Sequence, residues 1–208
     1  MAETKTGGGR RRRTSAASSA RRSELLAIAA EMFATRGYAQ TTVRDIADEA
    51  GILSGSLYHH FSSKEAMLTE LLQDFLGGLR ERFVRIVEEG DSPKEILDSL
   101  IRSSFDAIHE TPHAVALYQK ESSYLATVAG FDFVAETSRD IEGVWLGVLD
   151  AGRMAGAFRK DLDRDLVYRC IRDAVWSSVH WYRPGGRLSH DTMADQYIAL
   201  LHDGLTRP

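Results

Sequence analysis

The chain contains little cysteine and little proline, and it has no long apolar run. Of its 208 residues, one is cysteine (Cys170) and four are proline. A single thiol excludes an internal disulfide, and no cluster of Cys and His has the spacing of a structural zinc site. No apolar stretch approaches the roughly 20 residues that span a bilayer, and the N-terminus lacks the apolar core of a signal peptide. We therefore expect a cytoplasmic protein with no membrane contact and no metal centre.

Strand patterns are lacking as well. No segment alternates apolar and polar residues with period two, and no internal repeat is visible. Apolar residues recur instead at the spacing of a helix, which predicts an all-α fold. A chain of this length can hold a small domain and a larger one, each with its own core.

The charge is divided unevenly along the chain. Residues 1–22 contain seven Lys or Arg and one Glu, a charge of +6, which leaves −10 on the rest of a chain whose net charge is −4. This Gly-, Arg- and Ser-rich segment has little apolar surface to bury, so we predict a disordered basic arm over residues 1–22. It is either a solvated tail or a source of extra phosphate or minor-groove contacts. The salt dependence of DNA binding after deletion of residues 1–20 distinguishes the two.

Residues 41–61 have the pattern of two short helices joined by a glycine turn. Four apolar residues form one face of the first helix: Val43, Ile46, Ala47 and Ala50. Thr42 is placed to cap that helix, Gly51 to end it with a positive φ, and Ser54 to cap the second helix.

The second helix is predicted to turn Leu57 and Phe61 inward, at a spacing of i, i+4. Its other face carries Ser54, Gly55, Tyr58 and His59, whose hydroxyls and imidazole could reach phosphates or base edges. Such a helix-turn-helix is a DNA-reading unit. An ordinary helical hairpin is the alternative that spacing alone leaves open.

Several stretches resemble the TetR family of bacterial transcriptional repressors: residues 30–34 (AEMFA), 36–38 (RGY), 41–47 (TTVRDIA), Gly51, 57–61 (LYHHF) and 64–65 (KE). This resemblance implies a homodimer that binds a palindromic operator in double-stranded DNA. It implies an N-terminal three-helix helix-turn-helix domain, taken as residues 23–68, and a C-terminal helical domain for ligand binding and dimerisation, taken as residues 69–208. Neither a catalytic residue nor a cofactor is expected. The candidate DNA-binding residues are Thr42, Arg44, Ser54, Gly55, Ser56, Tyr58, His59 and Lys64.

One stretch of the sequence matches a catalytic motif. His109, Glu110 and His113 fit H-E-x-x-H, in which two histidines on one helical face bind zinc. Pro112 lies inside the pattern, and a proline interrupts a helix and disfavours helical backbone at the preceding residue. We therefore predict a helix end here. A metal-dependent hydrolase is the remote alternative, which zinc analysis would test.

A second candidate site lies on a helix predicted over about residues 163–182. Arg172 and Trp176 are one helical turn apart, so guanidinium and indole could together hold a phosphate and a flat ring. The other interpretation, which spacing alone favours, pairs Arg169 with Asp173 at the surface and buries Trp176 in the core.

Further stretches resemble one TetR subgroup, the Kst-type repressors of bacterial cholesterol degradation: residues 52–61 (ILSGSLYHHF), 161–163 (DLD), 165–169 (DLVYR), 171–173 (IRD), Trp176 and 181–186 (WYRPGG). This resemblance implies control of sterol ring catabolism genes and an effector that is a coenzyme A thioester, with Arg172 and Trp176 at the CoA group. The remaining candidate ligand-binding residues are Arg169, Phe75, Leu79, Tyr118 and Trp145. A TetR-type regulator that responds to fatty acyl-CoA or to a hydrophobic drug is the alternative.

Three local predictions concern the other helices. Ser62 and Glu65 form a capping box that opens a helix linking the two domains. Gly77 and Gly78 lie inside that helix and predict a bend or a close helix contact. A further helix over residues 134–154 is predicted to be broken by Gly152 and Gly156.

Overall fold

The computed structural model describes residues 8–125 and 127–205, and within them it contains helices and no strand. The helices are α1 (Gly8–Arg36), α2 (Val43–Glu49), α3 (Ser54–Leu57), α4 (Lys64–Glu89), α5 (Pro93–Glu110), α6 (Pro112–Leu125), α7 (Asp132–Met154), α8 (Arg164–Ser177) and α9 (His190–Leu205), with a 3-10 turn at Ser178–His180. None of these helices is long and apolar enough to cross a membrane. The all-α prediction is confirmed.

The chain divides into two compact units, Met1–Leu71 and Leu72–Pro208, and α4 contributes residues to both. In the first unit, α1 packs on α2 and α2 on α3. Fully buried apolar side chains from all three helices form its core: Leu25, Ala29, Phe33, Ile46, Ala47 and Leu57. Of the residues predicted to face inward, Ile46, Ala47 and Leu57 are fully buried, while Val43 and Ala50 are half-buried.

Residues 8–22 of the predicted basic arm are described as helical. Helix α1 begins at Gly8, so residues 8–22 continue the amphipathic helix of residues 23–36, while residues 1–7 lie outside the described part. Ala and Arg are good helix formers. Adding residues to an existing helix also avoids the cost of nucleating a new one. The prediction of a disordered arm considered burial alone, without this continuation of a neighbouring helix.

In the second unit, α5 is the central helix and packs against α6, α7, α8 and α9. Ser92 caps it by accepting a hydrogen bond from the Glu95 amide, and Pro93 occupies its first turn. Both features follow from the local sequence. The buried face of α5 includes Leu97, Leu100, Ile101, Phe105 and Ile108.

The close helix contact predicted as one alternative for Gly77 and Gly78, and the helix break predicted at Gly152, are both wrong. A Cβ built on Gly77 or Gly78 would meet no atom within 4 Å, so neither glycine makes a close helix contact. Gly152 lies inside α7 and does not break it. A Cβ there would lie 2.1 Å from Cδ2 of Phe158, so Gly152 is needed because an aromatic ring packs on the backbone. Gly156, with φ of 76°, follows the end of α7.

The predicted start of α4 is displaced by one residue. The hydroxyl of Ser63, not that of Ser62, accepts a hydrogen bond from the Ala66 amide at 3.1 Å. Adjacent serines offer the same side chain, and only the backbone path selects between them.

Candidate DNA-binding face and ligand cavity

Helix α2 begins at the predicted cap. The Thr42 hydroxyl accepts a hydrogen bond from the Asp45 amide, and the Asp45 carboxylate accepts one from the Thr42 amide, which completes a capping box. The Thr42 hydroxyl also donates to Asp45 Oδ2 at 2.6 Å. These bonds to Thr42 hold the pKa of Asp45 below its ordinary value. Gly51, with φ of 65°, follows the helix as expected.

The predicted cap at Ser54 is wrong. The N-cap residue of α3 is Leu53, which makes no side-chain capping bond, and α3 is only one turn long. After Leu57 the chain continues in hydrogen-bonded turns, because the amides of His60 and Phe61 both donate to the carbonyl of Leu57. Leu57 and Phe61 are buried, as predicted.

The outward face of this segment carries four exposed residues, which are Gly55, Ser56, Tyr58 and His59; Ser54 is half-buried. The Tyr58 side chain is 55% exposed although it is aromatic. A Cβ on Gly55 would meet no atom within 4 Å, so the backbone there is open to a close partner. A polar, accessible surface of this kind can donate and accept hydrogen bonds along a groove.

Arg44 and Lys64, two candidate phosphate-binding cations, have different surroundings. Arg44 is exposed and lies 3.8 Å from Asp48. Lys64 donates hydrogen bonds to the carbonyls of Tyr38 and Thr41, each at 2.9 Å. Its ammonium also lies 4.3 Å from the Tyr38 ring. Lys64 therefore fastens the connection between α1 and α2, and it has one N–H left for a phosphate.

Arg22 is a structural residue of this unit that the sequence did not reveal. Its guanidinium donates to the carboxylate of Glu70 and to the carbonyl of His60. It also lies 4.0 Å from the centre of the Phe61 ring. Arg22 thereby holds the chain that follows the recognition segment. Its place within a basic stretch suggested a tail residue, and no local spacing would have connected it to Glu70.

The second site is a cavity of about 370 Å³ in Leu72–Pro208, lined by residues of α4, α6, α7 and α8. Five of the predicted ligand-binding residues line it: Phe75, Leu79, Tyr118, Arg172 and Trp176. The rings make a continuous wall, since Phe75 meets Trp176 edge to face at 6.4 Å and lies 6.0 Å from Tyr118. This volume lies in the range of small-molecule sites.

The other two predicted ligand-binding residues do not line the cavity. Arg169 is exposed on α8. Trp145 is 4% exposed and packs in the core, with its ring 5.6 Å from that of Phe83. In place of the surface ion pair considered between Arg169 and Asp173, Asp173 accepts a hydrogen bond from Arg172 Nε at 2.8 Å.

Hydroxyl groups line the polar side of the cavity. Ser138 donates its proton to the Val134 carbonyl at 2.6 Å, so in the 2.8 Å contact between the two hydroxyls Tyr118 is the donor. Ser122 and Ser123 contribute two more hydroxyls. Burial raises the pKa of Tyr168 to about 12.

The charges at the cavity come from Arg172, Asp173 and Glu142. Arg172 is half-exposed and lies over the Tyr168 ring at 5.6 Å. Glu142 and Tyr168 were missed from the sequence, although Tyr168 precedes Arg172 by one helical turn. That spacing was a usable signal.

Known proteins match over both units. The model of the bacterial regulatory proteins of the tetR family matches residues 25–71, and that of the Tetracyclin repressor-like C-terminal domain matches residues 90–205. The HTH-type transcriptional repressor KstR2 of Mycolicibacterium smegmatis is 50% identical over 186 residues, which cover 89% of this chain and 91% of that protein. KstR2 of Rhodococcus jostii is 48% identical over 90% of this chain and 92% of that protein. The chain belongs to the TetR family.

Solved TetR structures agree with the fold. The ketosteroid transcriptional regulator KstR2 of Mycobacterium tuberculosis superimposes with a TM-score of 0.88 at 49% identity, covering 90% of this chain and 96% of that chain. The chain is thus a TetR-type transcriptional repressor that binds DNA, and it is not an enzyme.

The H-E-x-x-H letters of this TetR protein do not form a zinc-binding helix face. Helix α5 ends at Glu110 and α6 begins at Pro112, so His109 and His113 lie on different helices, as predicted. Glu110 forms an ion pair with Arg82 at 2.9 Å.

Proposed function

We propose that this repressor controls genes of sterol ring catabolism and is released from a palindromic operator by a coenzyme A thioester bound in the cavity. The observation that carries the proposal is the joint placement of Arg172 and Trp176 on one cavity wall. A guanidinium and an indole one helical turn apart suit a phosphate and a flat ring. The relatives named KstR2, one of them described as a ketosteroid regulator, support the sterol assignment.

The cavity charges indicate how such an effector would lie. The lining includes one cation, Arg172, and two carboxylates, Glu142 and Asp173. Several phosphates could not be neutralised inside it, and burying unpaired charge is costly. We propose that the acyl group enters the cavity, while the phosphates stay at the solvent-exposed edge beside Arg172.

The alternative effectors differ in how they would use the lining. A fatty acyl chain offers no hydrogen-bond partner to the hydroxyls of Ser122 and Ser123, and leaving polar groups without partners lowers affinity. An oxygenated ring fragment can accept or donate hydrogen bonds there. The lining therefore favours an oxygenated acyl group over a plain alkyl chain or a hydrophobic drug.

Homodimer formation belongs to this proposal. An apolar groove of about 340 Å³ lies between α8 and α9, and Leu166 and Leu200 beside it are 60% and 73% exposed. Exposed apolar surface of this kind is typical of an interaction site. A two-fold contact through this groove would pair two recognition segments, which must lie about 34–36 Å apart to enter successive major grooves.

The test compares two arginines of α8. Arg172→Met should leave operator affinity unchanged and abolish release by sterol-derived CoA thioesters, measured by fluorescence anisotropy of labelled operator DNA. Arg169→Met is the matched control, since it removes the same charge from the same helix outside the cavity, and it should respond as the wild type does. Normal release of Arg172→Met, or equal loss in both variants, would overturn the CoA assignment.

The effector panel should include free CoA, palmitoyl-CoA, sterol-derived CoA thioesters and a cationic drug, first screened by thermal shift. Selective stabilisation by sterol-derived thioesters is expected. Stabilisation by palmitoyl-CoA alone would favour the fatty acyl alternative. By linkage, operator DNA must weaken effector binding by the same factor as the effector weakens operator binding.

A further inference from the structure

Three potential metal ligands from two helices meet at one end of the α5–α9 pair. His190 and Asp191 begin α9, and Asp106 lies in the last turns of α5. His190 Nε2 is 3.6 Å from Asp106 Oδ1 and 3.7 Å from Asp191 Oδ1. One donor atom from each residue lies within 4.8 Å of the other two. None of the three lines the effector cavity.

The His190 ring is held in place by a stacked neighbour. His109 lies parallel to it, with ring centres 4.1 Å apart and planes 10° apart. His109 is fixed in turn by a 2.8 Å hydrogen bond between its Nδ1 and the Tyr182 hydroxyl. A bound metal lies in the plane of its imidazole ligand, and parallel planes do not converge. His109 therefore orients His190 and is not itself a ligand.

The carboxylates at this site would attract a cation. The carboxylates of Glu110 and Asp191 lie near Asp106, and Arg82 is a nearby cation. Arg82, however, is bound to Glu110 at 2.9 Å. The Arg82–Glu110 pair involves neither Asp106 nor Asp191, whose carboxylates both lie beside the His190 ring. A divalent cation would balance them.

We propose that Asp106, His190 and Asp191 bind a divalent transition-metal ion such as Zn²⁺, with water completing its coordination. Bonds of about 2.0–2.1 Å in a tetrahedral site place ligand atoms roughly 3.4 Å apart. The two distances from His190 Nε2 exceed this by a few tenths of an ångström, within the reach of small side-chain rotations. Mg²⁺ and Ca²⁺ prefer shells made of oxygen, so the imidazole favours a transition metal.

Such an ion would join α5 to α9 at the turn before α9. It is distinct from the zinc pattern in the sequence, which combined His109 with His113. It is also independent of the effector proposal, because its ligands and the cavity residues are different. Binding should raise the free energy of unfolding with the logarithm of the zinc concentration once that concentration exceeds the dissociation constant.

The test uses the full chain without a polyhistidine tag, equilibrium dialysis against ZnCl₂ and measurement of bound zinc. The wild type should bind about one equivalent per chain and show a higher Tm with zinc. His190→Gln and Asp191→Asn should bind at least tenfold more weakly and lose that shift. The Asp191 side chain is 74% exposed, so Asp191→Asn should keep the fold.

His202→Gln is the matched control. His202 also joins α9 to α5, through a 2.7 Å contact with Asp98, yet it lies in a different part of the pair. This variant should bind zinc as the wild type does. The chain has seven histidines, so diffuse surface binding is a competing outcome. Equal zinc binding by the wild type and the three variants, or no zinc binding by the wild type, would overturn the proposed metal site.

Discussion

The two candidate sites are built in opposite ways. The DNA-binding face comes from one stretch of chain, residues 42–64, in which buried and exposed side chains follow one another. The cavity brings together four helices, from Phe75 on α4 to Trp176 on α8. A contiguous site is determined by local spacing and capping, whereas a dispersed one exists only after the helices have packed. Substitutions should therefore separate the two functions, and they should act differently in each.

The largest difference should come from truncating one leucine in each unit. Leu57 is completely buried beneath the recognition segment, and Leu57→Ala should cost about 2–5 kcal/mol of stability and abolish operator binding. Leu79 borders an existing cavity, so Leu79→Ala should cost less and alter effector affinity instead. Urea unfolding and operator titrations measure both. An equal loss of operator binding in Leu57→Ala and Leu79→Ala would contradict the proposed difference between the two sites.

A smaller effect is expected from the exposed face, where side chains contribute to binding and little to folding. Tyr58→Phe and His59→Ala should each weaken operator affinity about tenfold, which is 1.4 kcal/mol, through loss of hydrogen bonds to DNA. Because both side chains are exposed, stability should change by less than about 0.5 kcal/mol. Anisotropy and thermal melts test the pair. Unchanged affinity in both variants would contradict the assignment of this face.

The smallest effect should come from the cap of α2. Thr42→Ala should cost about 1 kcal/mol at neutral pH. Thr35→Ala is the control, since its exposed hydroxyl only donates to the Glu31 carbonyl within α1, and it should cost less.

The same cap has a defined pH dependence. The Thr42 bonds lower the Asp45 pKa below 3.8, so the stability they provide is complete above that value and is lost as the pH falls through the folded-state pKa. In Thr42→Ala the Asp45 pKa should rise towards 3.8, as followed by NMR titration of its carboxyl carbon. An unshifted pKa would show that the hydroxyl is not its main partner.

The features that the sequence predicted correctly depend on neighbours in the chain. Thr42, Gly51 and Ser92 act on backbone groups within three or four residues, so their roles follow from spacing. Ser62 was assigned wrongly because the adjacent Ser63 can perform the same role, and Ser54 because α3 begins directly after Leu53, with no side-chain cap. Arg169 and Trp145 show a different limit. Helical spacing identifies which side chains share a face, but it does not show whether that face meets a cavity, the core or water.

The paired glycines of α4 affect how firmly that helix is held along its length. Gly77 and Gly78 follow Leu76, which is 2% exposed, yet no side chain fills the space beside either glycine. Each lowers local helix stability by about 1 kcal/mol relative to alanine. The amides around them should therefore exchange with solvent hydrogen through small openings that leave the rest of the fold intact. Helix α4, which contributes to both units, thus contains a point where its hydrogen bonds open at low cost.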